Sequence, residues 1–298
     1  LRAEYTNTLG IFDSEIPDIK NDYLNLFPSF SLQYTPSSDH DFKLWYYRRI
    51  ARPRFVIANP FQYFQTNNSV FEGNPNILPS TRHYVAAAYT FAKSYTFDVF
   101  YRNQQNPINQ LVLQDNDAKA LFFQQANFVS NISYGLDFTV NKNFTNFWST
   151  YMYLSVYDRT YRFIDAQTDN LISNGQLTWS LQLNNSFTFL QDKSLFADVR
   201  FGHYAQVAIA NTVQNDWSDL TISLRKSLWN RRASISLGVE DIFNQRSTSS
   251  IRLYSDQDNI SDYRFESRLL TFGFRYRFGN TGIKDNKKSK NLEERRRL

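Results

Sequence analysis

The segment LTWSLQLNNSFTF, residues 177–189, decides the fold class. Every odd-numbered position but one is apolar, and every even-numbered position is polar. A period of two is the period of a β-strand whose two faces meet different surroundings. The same alternation recurs in residues 132–140, 220–228, 233–240 and 270–278. The chain is therefore predicted to be all-β.

The composition of the 298 residues excludes several other classes. Aromatic residues make up 17% of the chain, which is too many for a disordered protein. Cysteine is absent, so disulfide frameworks and Cys-ligated metal sites are excluded. Runs of about 20 apolar residues, which membrane-spanning helices need, are also missing. The remaining problem is where so many aromatic rings lie in a chain of polar average character.

The alternating segments follow one another along the body of the chain as a meander. We predict about twelve strands, near residues 1–8, 26–36, 40–51, 81–92, 94–104, 120–142, 147–158, 175–190, 193–206, 214–228, 231–241 and 263–278. The connections between them alternate between short and long. Short turns at one end and long loops at the other are typical of a transmembrane β-barrel.

Strand length and aromatic placement favour a membrane protein over a soluble β-sandwich, which would alternate equally well. Several segments reach the 9–11 residues of a tilted membrane-spanning strand. Trp45, Trp148 and Trp229 lie by predicted short turns, and Trp217 lies beside a long loop. Such positions are those of the aromatic girdles at membrane interfaces. A soluble all-β binding or structural protein is the less favoured alternative.

Three segments carry more information than their periodicity. Residues 48–79 read RRIARPRFVIANPFQYFQTNNSVFEGNPNILP, residues 241–247 read DIFNQRS, and residues 265–280 read FESRLLTFGFRYRFGN. Together they closely resemble the C-terminal barrel part of TonB-dependent outer-membrane receptors, within the outer membrane protein β-barrel family. The first and third segments are fairly specific, whereas DIFN alone would be a weak signal.

This resemblance implies an antiparallel meander transmembrane β-barrel, with about twelve strands present out of the 22 of such a receptor. It also implies energy-coupled nutrient uptake in the outer membrane of a Gram-negative bacterium, and no enzymatic activity. The TonB complex would act through a plug that is not in this chain, because no signal peptide, plug-like segment or energy-coupling box is recognisable. A stand-alone twelve-stranded porin or outer-membrane enzyme is the alternative, so a fragment and a complete small barrel both stay open.

Two sets of candidate residues follow, the first from the position of the long loops and the second from the resemblance. Substrate would meet the long loops first, and the first set is the candidate ligand contacts Phe55, Phe61, Tyr63, Phe64 and Phe71. Packing between neighbouring loops explains these rings equally well. The second set is the alternating aromatics that the barrel-assembly machinery would recognise in the last strand, which are Phe272, Phe274, Tyr276 and Phe278.

The chain divides into a predicted barrel portion, residues 1–280, and a basic tail, residues 281–298. From Lys284 onward the tail carries seven basic residues against three acidic ones, which is most of the net charge of +5. We interpret it as a solvated and disordered end rather than a nucleic-acid-binding segment, because the body of the chain is nearly neutral. The partners expected are outer-membrane lipid, an unidentified nutrient and the assembly machinery.

Catalytic, cofactor and metal sites are not predicted. The three histidines, His40, His83 and His203, lack metal-ligand spacing and are interpreted as girdle or loop residues. Phosphate-binding loops and nucleophile elbows are not found either.

Overall fold

The computed structural model describes residues 1–10 and 19–279, which form strands and one four-residue helix. In chain order the elements are β1 (Arg2–Gly10), β2 (Ile19–Phe27), β3 (Ser29–Ser37), β4 (His40–Ala51), α1 (Phe55–Ala58), β5 (Gln62–Thr66), β6 (Ser69–Glu72), β7 (Ser80–Phe91), β8 (Tyr95–Gln105), β9 (Ile108–Asp115), β10 (Ala120–Asn127), β11 (Ser130–Asn143), β12 (Trp148–Ile164), β13 (Leu171–Phe189), β14 (Leu195–Tyr204), β15 (Val207–Ile209), β16 (Thr212–Gln214), β17 (Trp217–Leu228), β18 (Ala233–Glu240), β19 (Ser247–Tyr254), β20 (Gln257–Arg264) and β21 (Leu269–Tyr276). Within these residues no helix has the length and apolar character needed to cross a bilayer. The predicted tail, residues 281–298, lies outside the described residues.

Eleven strands form one antiparallel sheet, which we call the wall. Its order is β3-β4-β7-β8-β11-β12-β13-β14-β17-β18-β21, so each strand pairs with the next wall strand along the chain. The predicted antiparallel meander is therefore confirmed. In the part of the chain that the structure describes, β21 pairs with β18 alone and β3 pairs with β4 alone, so the wall is an open sheet.

The connections between wall strands differ at the two ends of the sheet. Short turns join β3 to β4, β7 to β8, β11 to β12, β13 to β14 and β17 to β18. Longer segments join the same strands at the opposite end, and β12 and β13 extend there to 17 and 19 residues. The alternation predicted from the sequence is confirmed, and it gives the wall a turn end and a loop end.

The long connections form two further sheets at the loop end. The first loop sheet has the order β5-β6-β10-β9, and the second has the order β15-β16-β19-β20. Each therefore combines strands from two separate connections. The predicted strand over residues 120–142 is wrong as a single element, because β10 belongs to the first loop sheet and β11 to the wall. The pairing of β6 with β10 is parallel, unlike the pairings of the wall.

The first predicted strand lies in a hairpin beside the wall rather than within it. Arg2 to Gly10 pair with Ile19 to Phe27, and Pro28 separates β2 from β3. Proline lacks the backbone N–H that a sheet ladder uses, so the break falls at this residue. The Arg48 side chain donates to the Leu26 carbonyl at 2.6 Å and holds the hairpin against β4.

The two faces of the wall have opposite character, as the period of two requires. One face carries exposed apolar side chains, among them Leu136 at 58% and Leu177 at 71% exposure. The other carries Ser, Thr, Asp, Arg and Tyr, and its Ser133, Ser155 and Thr178 are buried. Side chains crowd on the concave side of a curved sheet, so the polar face is the inner one.

Trp45 lies on the inner face rather than in an aromatic girdle. It pairs with Ser31 and Ala86, and its neighbours of the same parity are Lys43 and Tyr47. Its predicted place in an aromatic girdle is therefore wrong. Trp148 and Trp229 do lie at short turns, beside β12 and β17.

A small hydrophobic core lies at the loop end, where the hairpin of β12 and β13 meets both loop sheets. Its buried members are Leu111, Phe128, Tyr161, Phe163 and Ala210. Phe128 lies 4.9 Å from Phe163 and 6.2 Å from Tyr161 between ring centroids. This core anchors the loop sheets to the wall, because apolar burial is the main stabilising contribution available to them.

Candidate functional site

The aromatics predicted to contact a ligand lie on one loop segment, but the structure gives them different surroundings. Phe55 is the first residue of α1. Phe61, Tyr63 and Phe64 are 71%, 61% and 69% exposed, at or just before the edge strand β5. Phe71 lies half-buried in the interior of the first loop sheet.

Phe71 is held in a stack of three rings across the first loop sheet. Its centroid is 4.4 Å from that of Phe123 on β10 and 5.1 Å from that of Tyr63 on β5. Aromatic pairs at this separation stabilise a sheet by about 0.5–1.5 kcal/mol beyond their area burial. Phe71 is therefore a packing residue, while Phe61, Tyr63 and Phe64 present free ring surface to solvent.

Asp241, the first residue of the DIFN segment, fastens a long loop to the wall. Its buried carboxylate accepts hydrogen bonds from the backbone N–H groups of Gln245 and Arg246, both at 3.1 Å, and from the Ser267 hydroxyl. Burial acts to raise the pKa of Asp241, but these hydrogen bonds and the charge of Arg246 outweigh it and hold the pKa below its ordinary value. The motif thus closes the connection from β18 to β21.

Asp165 fastens the second loop sheet in a similar way. It lies in the turn between β12 and β13 and accepts hydrogen bonds from the Gln167 backbone N–H, the Thr168 hydroxyl and the Ser255 hydroxyl. Burial again acts to raise its pKa, and these hydrogen bonds lower it by more. Ser255 lies between β19 and β20, so this contact joins two separate loops.

The two loop sheets also contact each other directly. The Gln114 backbone N–H donates to the Gln257 side chain at 2.5 Å, and the Asn211 side chain donates to the Val112 carbonyl at 3.0 Å. The loops therefore form one connected cap at the loop end.

Below the cap, six inner-face residues stand side by side on consecutive wall strands. We call this set the arginine row, and its members are successive register partners: Tyr47, Tyr84, Arg102, Ser133, Arg159 and Gln176. The Arg102 guanidinium carbon lies 5.6 Å from the Tyr84 ring centroid, and that of Arg159 lies 5.0 Å from the Tyr157 centroid. Stacking on rings orients both guanidinium groups.

A cavity of about 240 Å³ opens on the inner face at the arginine row, and we call it the wall cavity. Its lining includes Arg102, Ser133, Asp137, Tyr153 and Arg159. Asp137 accepts a hydrogen bond of 2.6 Å from Ser155 and pairs in register with Asp98. The inner face therefore changes from positive to negative along the strands. This site was not predicted, although the positions of Arg102 and Arg159 in the alternating pattern of their strands place both side chains on the polar face.

The three histidines each have an aromatic or hydroxyl partner on the outer face. His40 and His83 contact the hydroxyls of Tyr89 and Tyr46, and His203 contacts that of Ser218. Groups of three or more potential metal ligands are not found among the described residues.

The last strand presents its alternating aromatics on the outer face at the edge of the wall. Phe272 is 72% exposed, Phe274 and Phe278 are exposed, and Tyr276 packs against Trp229 with ring centroids 5.9 Å apart. The residues predicted as an assembly signal thus share one accessible surface.

An open-ended antiparallel wall, apolar outside and polar inside, with a turn end and a loop-built cap, defines an outer-membrane β-barrel protein. The chain belongs to the outer membrane protein beta-barrel family, whose model matches residues 1–276. It is therefore a protein of the Gram-negative outer membrane. No curated protein matches it by sequence.

Solved receptor structures share the fold at low sequence identity. The ferric-catecholate import receptor Fiu from Escherichia coli K12 has a TM-score of 0.56 at 11% identity, over 92% of this chain and 40% of that one. The siderophore receptor PirA from Pseudomonas aeruginosa has a TM-score of 0.55 at 14% identity, over 82% and 43%. The FrpB iron transporter from Neisseria meningitidis has a TM-score of 0.55 at 12% identity, over 88% and 40%.

The chain thus spans about two fifths of the length of these receptors. The resemblance to the barrel of TonB-dependent receptors, stated from three sequence segments, is confirmed for family and fold.

Proposed function

We propose that the chain is the C-terminal barrel portion, residues 1–280, of a TonB-dependent receptor that imports an iron–siderophore complex. The observation that carries the proposal is a wall with an apolar outside and a polar, arginine-rich inside, beneath a cap with free aromatic surface. The proteins with a similar wall include siderophore receptors and an iron transporter, which supports this nutrient class.

The outer face argues against the soluble alternative. Phe97 on β8, Leu136 on β11 and Leu177 on β13 are exposed, and they belong to one continuous apolar surface on the outer face of the wall. Soluble monomers rarely expose a contiguous apolar patch of more than a few hundred Å². Contact with the lipid of the outer membrane would remove this apolar surface from water.

Dependence of uptake on TonB distinguishes a receptor of this class from a porin. In iron-limited cells that depend on this protein, we expect uptake of radioactive iron supplied as a ferric siderophore to stop when TonB is deleted. A porin conducts solutes without energy input, so uptake that persists without TonB would replace the receptor proposal with the porin alternative.

We assign initial ligand contact to Phe61, Tyr63 and Phe64 because their rings are exposed, and we assign Phe71 to packing. The double variant Tyr63→Ala/Phe64→Ala should weaken ferric-siderophore binding to whole cells by about thirtyfold, since each exposed ring can contribute about 1 kcal/mol. Leu253→Ala removes an exposed apolar side chain from the second loop sheet and is the matched control. Equal affinities of the double variant and this control would reject the assignment.

We also propose that Phe272, Phe274, Tyr276 and Phe278 form the signal read by the barrel-assembly machinery. Phe272→Ser/Phe274→Ser should reduce the amount of heat-modifiable protein in the outer membrane several-fold. Phe97→Ser/Leu136→Ser removes equally exposed outer-face side chains from internal strands and provides the control. Similar losses in both variants would mean that the terminal rings act only as lipid-facing residues.

A further inference from the structure

The arginine row contains a concentration of buried polar atoms that lack a partner. Among the described residues, the buried side-chain atoms without a hydrogen bond include Arg102 Nε, Ser133 Oγ, Arg159 Nε and Gln176 Nε2. All four belong to one lateral row of the wall, on the consecutive strands β8, β11, β12 and β13. Leaving such a group buried and unpaired costs about 1–3 kcal/mol, and more for a charged one. Four together on one row indicate a missing partner rather than four separate defects.

The chemistry of these atoms defines what the partner must offer. Arg102 Nε and Arg159 Nε are donors only, Gln176 Nε2 is a donor, and the Ser133 hydroxyl can donate. The partner must therefore be rich in acceptor atoms. Both arginines are positively charged, and neither forms a salt bridge within the described part of the chain. An acceptor that also carries negative charge satisfies both requirements, and an oxyanion is the simplest such group.

The wall cavity provides the space for this group. It is lined by Arg102, Ser133 and Arg159, and Ser133 is only 1% exposed. Tyr84 and Tyr157 hold the two guanidinium groups by stacking, so the donors are oriented before anything binds. Asp98 and Asp137 lie four residues farther along β8 and β11, with Cα atoms roughly 13 Å toward the turn end, and the Asp137 side chain lines the wall cavity on that side. These two carboxylates repel an anion from the turn-end side of the cavity, so an anion is held at the arginine row.

We propose that the wall cavity is an oxyanion-binding site, in which Arg102 and Arg159 bind a carboxylate or phosphate group with the help of Ser133. The oxyanion belongs either to a small molecule in the barrel interior or to an acidic side chain of a protein segment that fills the interior. The site is independent of which nutrient is imported, and its test uses no transport measurement.

The test is thermal unfolding of the intact protein, extracted from the outer membrane in detergent, with inorganic phosphate replacing chloride at constant ionic strength. For a site open to small molecules, phosphate raises the melting temperature of the wild type in a saturable manner. Arg102→Gln and Arg159→Gln each weaken the apparent phosphate affinity at least tenfold, because each removes a charge-assisted hydrogen bond.

Arg225→Gln is the matched control. Arg225 is also an inner-face arginine stacked on a ring, 4.5 Å from the Phe196 centroid, and it lies in a separate basic pocket near the turn end with Arg275 and Arg277. The Arg225→Gln variant should have a phosphate affinity within about twofold of the wild-type value. If Arg225→Gln weakens phosphate binding and Arg102→Gln does not, the anion binds in that other pocket and the proposal is overturned.

An acidic side chain in the site gives a different result. Phosphate then leaves the wild-type melting temperature unchanged, and Arg102→Gln and Arg159→Gln lower it by clearly more than Arg225→Gln does. Arg102→Lys, which keeps the charge and loses Nε, serves as the milder variant if the glutamine variants fail to reach the membrane, and it should weaken the site in the same direction. Absence of a phosphate response together with equal melting temperatures for all arginine variants would overturn the proposal.

Discussion

At the scale of single residues, the inner face is packed closely enough to require glycine at one position. A Cβ atom added to Gly135 would lie 2.4 Å from the Val156 carbonyl oxygen and 2.5 Å from the Tyr157 Cβ. Both neighbours are on β12, the register partner of β11, so backbone as well as side chain must move. Gly135 therefore allows Tyr157 to stand beside the wall cavity.

Gly135→Ala should destabilise the intact protein by about 1–3 kcal/mol, since overpacking at a site bounded by backbone forces the strands apart. Gly202→Ala is the control, because its added Cβ would meet only the Tyr204 ring, at 3.3 Å. Unfolding in denaturant of detergent-solubilised protein measures both. A smaller loss for Gly135→Ala than for Gly202→Ala would contradict the packing explanation.

Residue type alone did not reveal which face a side chain occupies. Trp45 was assigned to a girdle because tryptophan is common there, but it shares parity with Asp41, Lys43 and Arg49, which are inner-face residues. The parity was visible in the sequence and would have corrected the assignment. The arginine row was not predictable in this way, because the register of five strand pairs is needed to bring its members side by side.

At the scale of elements, the long wall strands were predictable and the loop strands were not. β13 follows from the alternation over residues 177–189, because lipid and the barrel interior impose opposite preferences on its two faces. β9, β10, β15, β16, β19 and β20 are short, and three of them (β10, β16 and β19) also pair with a strand from a different connection. Non-local pairing leaves no periodic signal in a single segment, so most of these strands fall in predicted loops, and β10 falls in a single predicted strand with β11.

Buried carboxylates that hold the loops make the cap sensitive to acid. The folded-state pKa of Asp241 is lowered from its ordinary value of 3.8, and that of Asp165 is lowered as well. A lowered pKa means that the stabilising contribution is complete above about pH 3.8 and is lost as the pH falls through the folded-state value. The loops that Asp165 and Asp241 hold at neutral pH should therefore loosen as the pH falls below about 3.8.

Asp241→Ala should loosen the connection between β18 and β21 already at neutral pH, because two backbone N–H groups and the Ser267 hydroxyl lose their acceptor. We expect a loss of about 2–3 kcal/mol and faster protease cleavage within residues 241–268 on intact cells. Asp256→Ala, a substitution in the turn between β19 and β20, is the control. Cleavage rates that match between the two variants would show that Asp241 is not the anchor.

At the scale of the whole molecule, the two faces of the wall should respond oppositely to the same charge. Leu136 lies at the middle of β11 on the outer face, and Thr139 lies on the inner face of the same strand. Leu136→Arg should destabilise the protein in lipid by about 2–4 kcal/mol, the cost of a cation at the bilayer midplane.

Thr139→Arg places the same charge on the inner face of the same strand. It should destabilise the protein by less than about 1 kcal/mol, since the inner face is polar. Unfolding from phospholipid vesicles measures both variants. If Thr139→Arg proves the more damaging, the faces have been assigned the wrong way round.

The parallel pairing of β6 with β10 couples the first loop sheet to the wall hairpin beneath it. In the sequence, the paired residues Phe71 and Phe123 lie on either side of the complete hairpin of β7 and β8, so the first loop sheet joins the two connections that flank this hairpin. A hairpin inserted one residue out of register would move its side chains to the wrong faces and displace both ends of the sheet above it. We therefore expect a misassembled wall to leave the first loop sheet incomplete and its strands open to surface proteases.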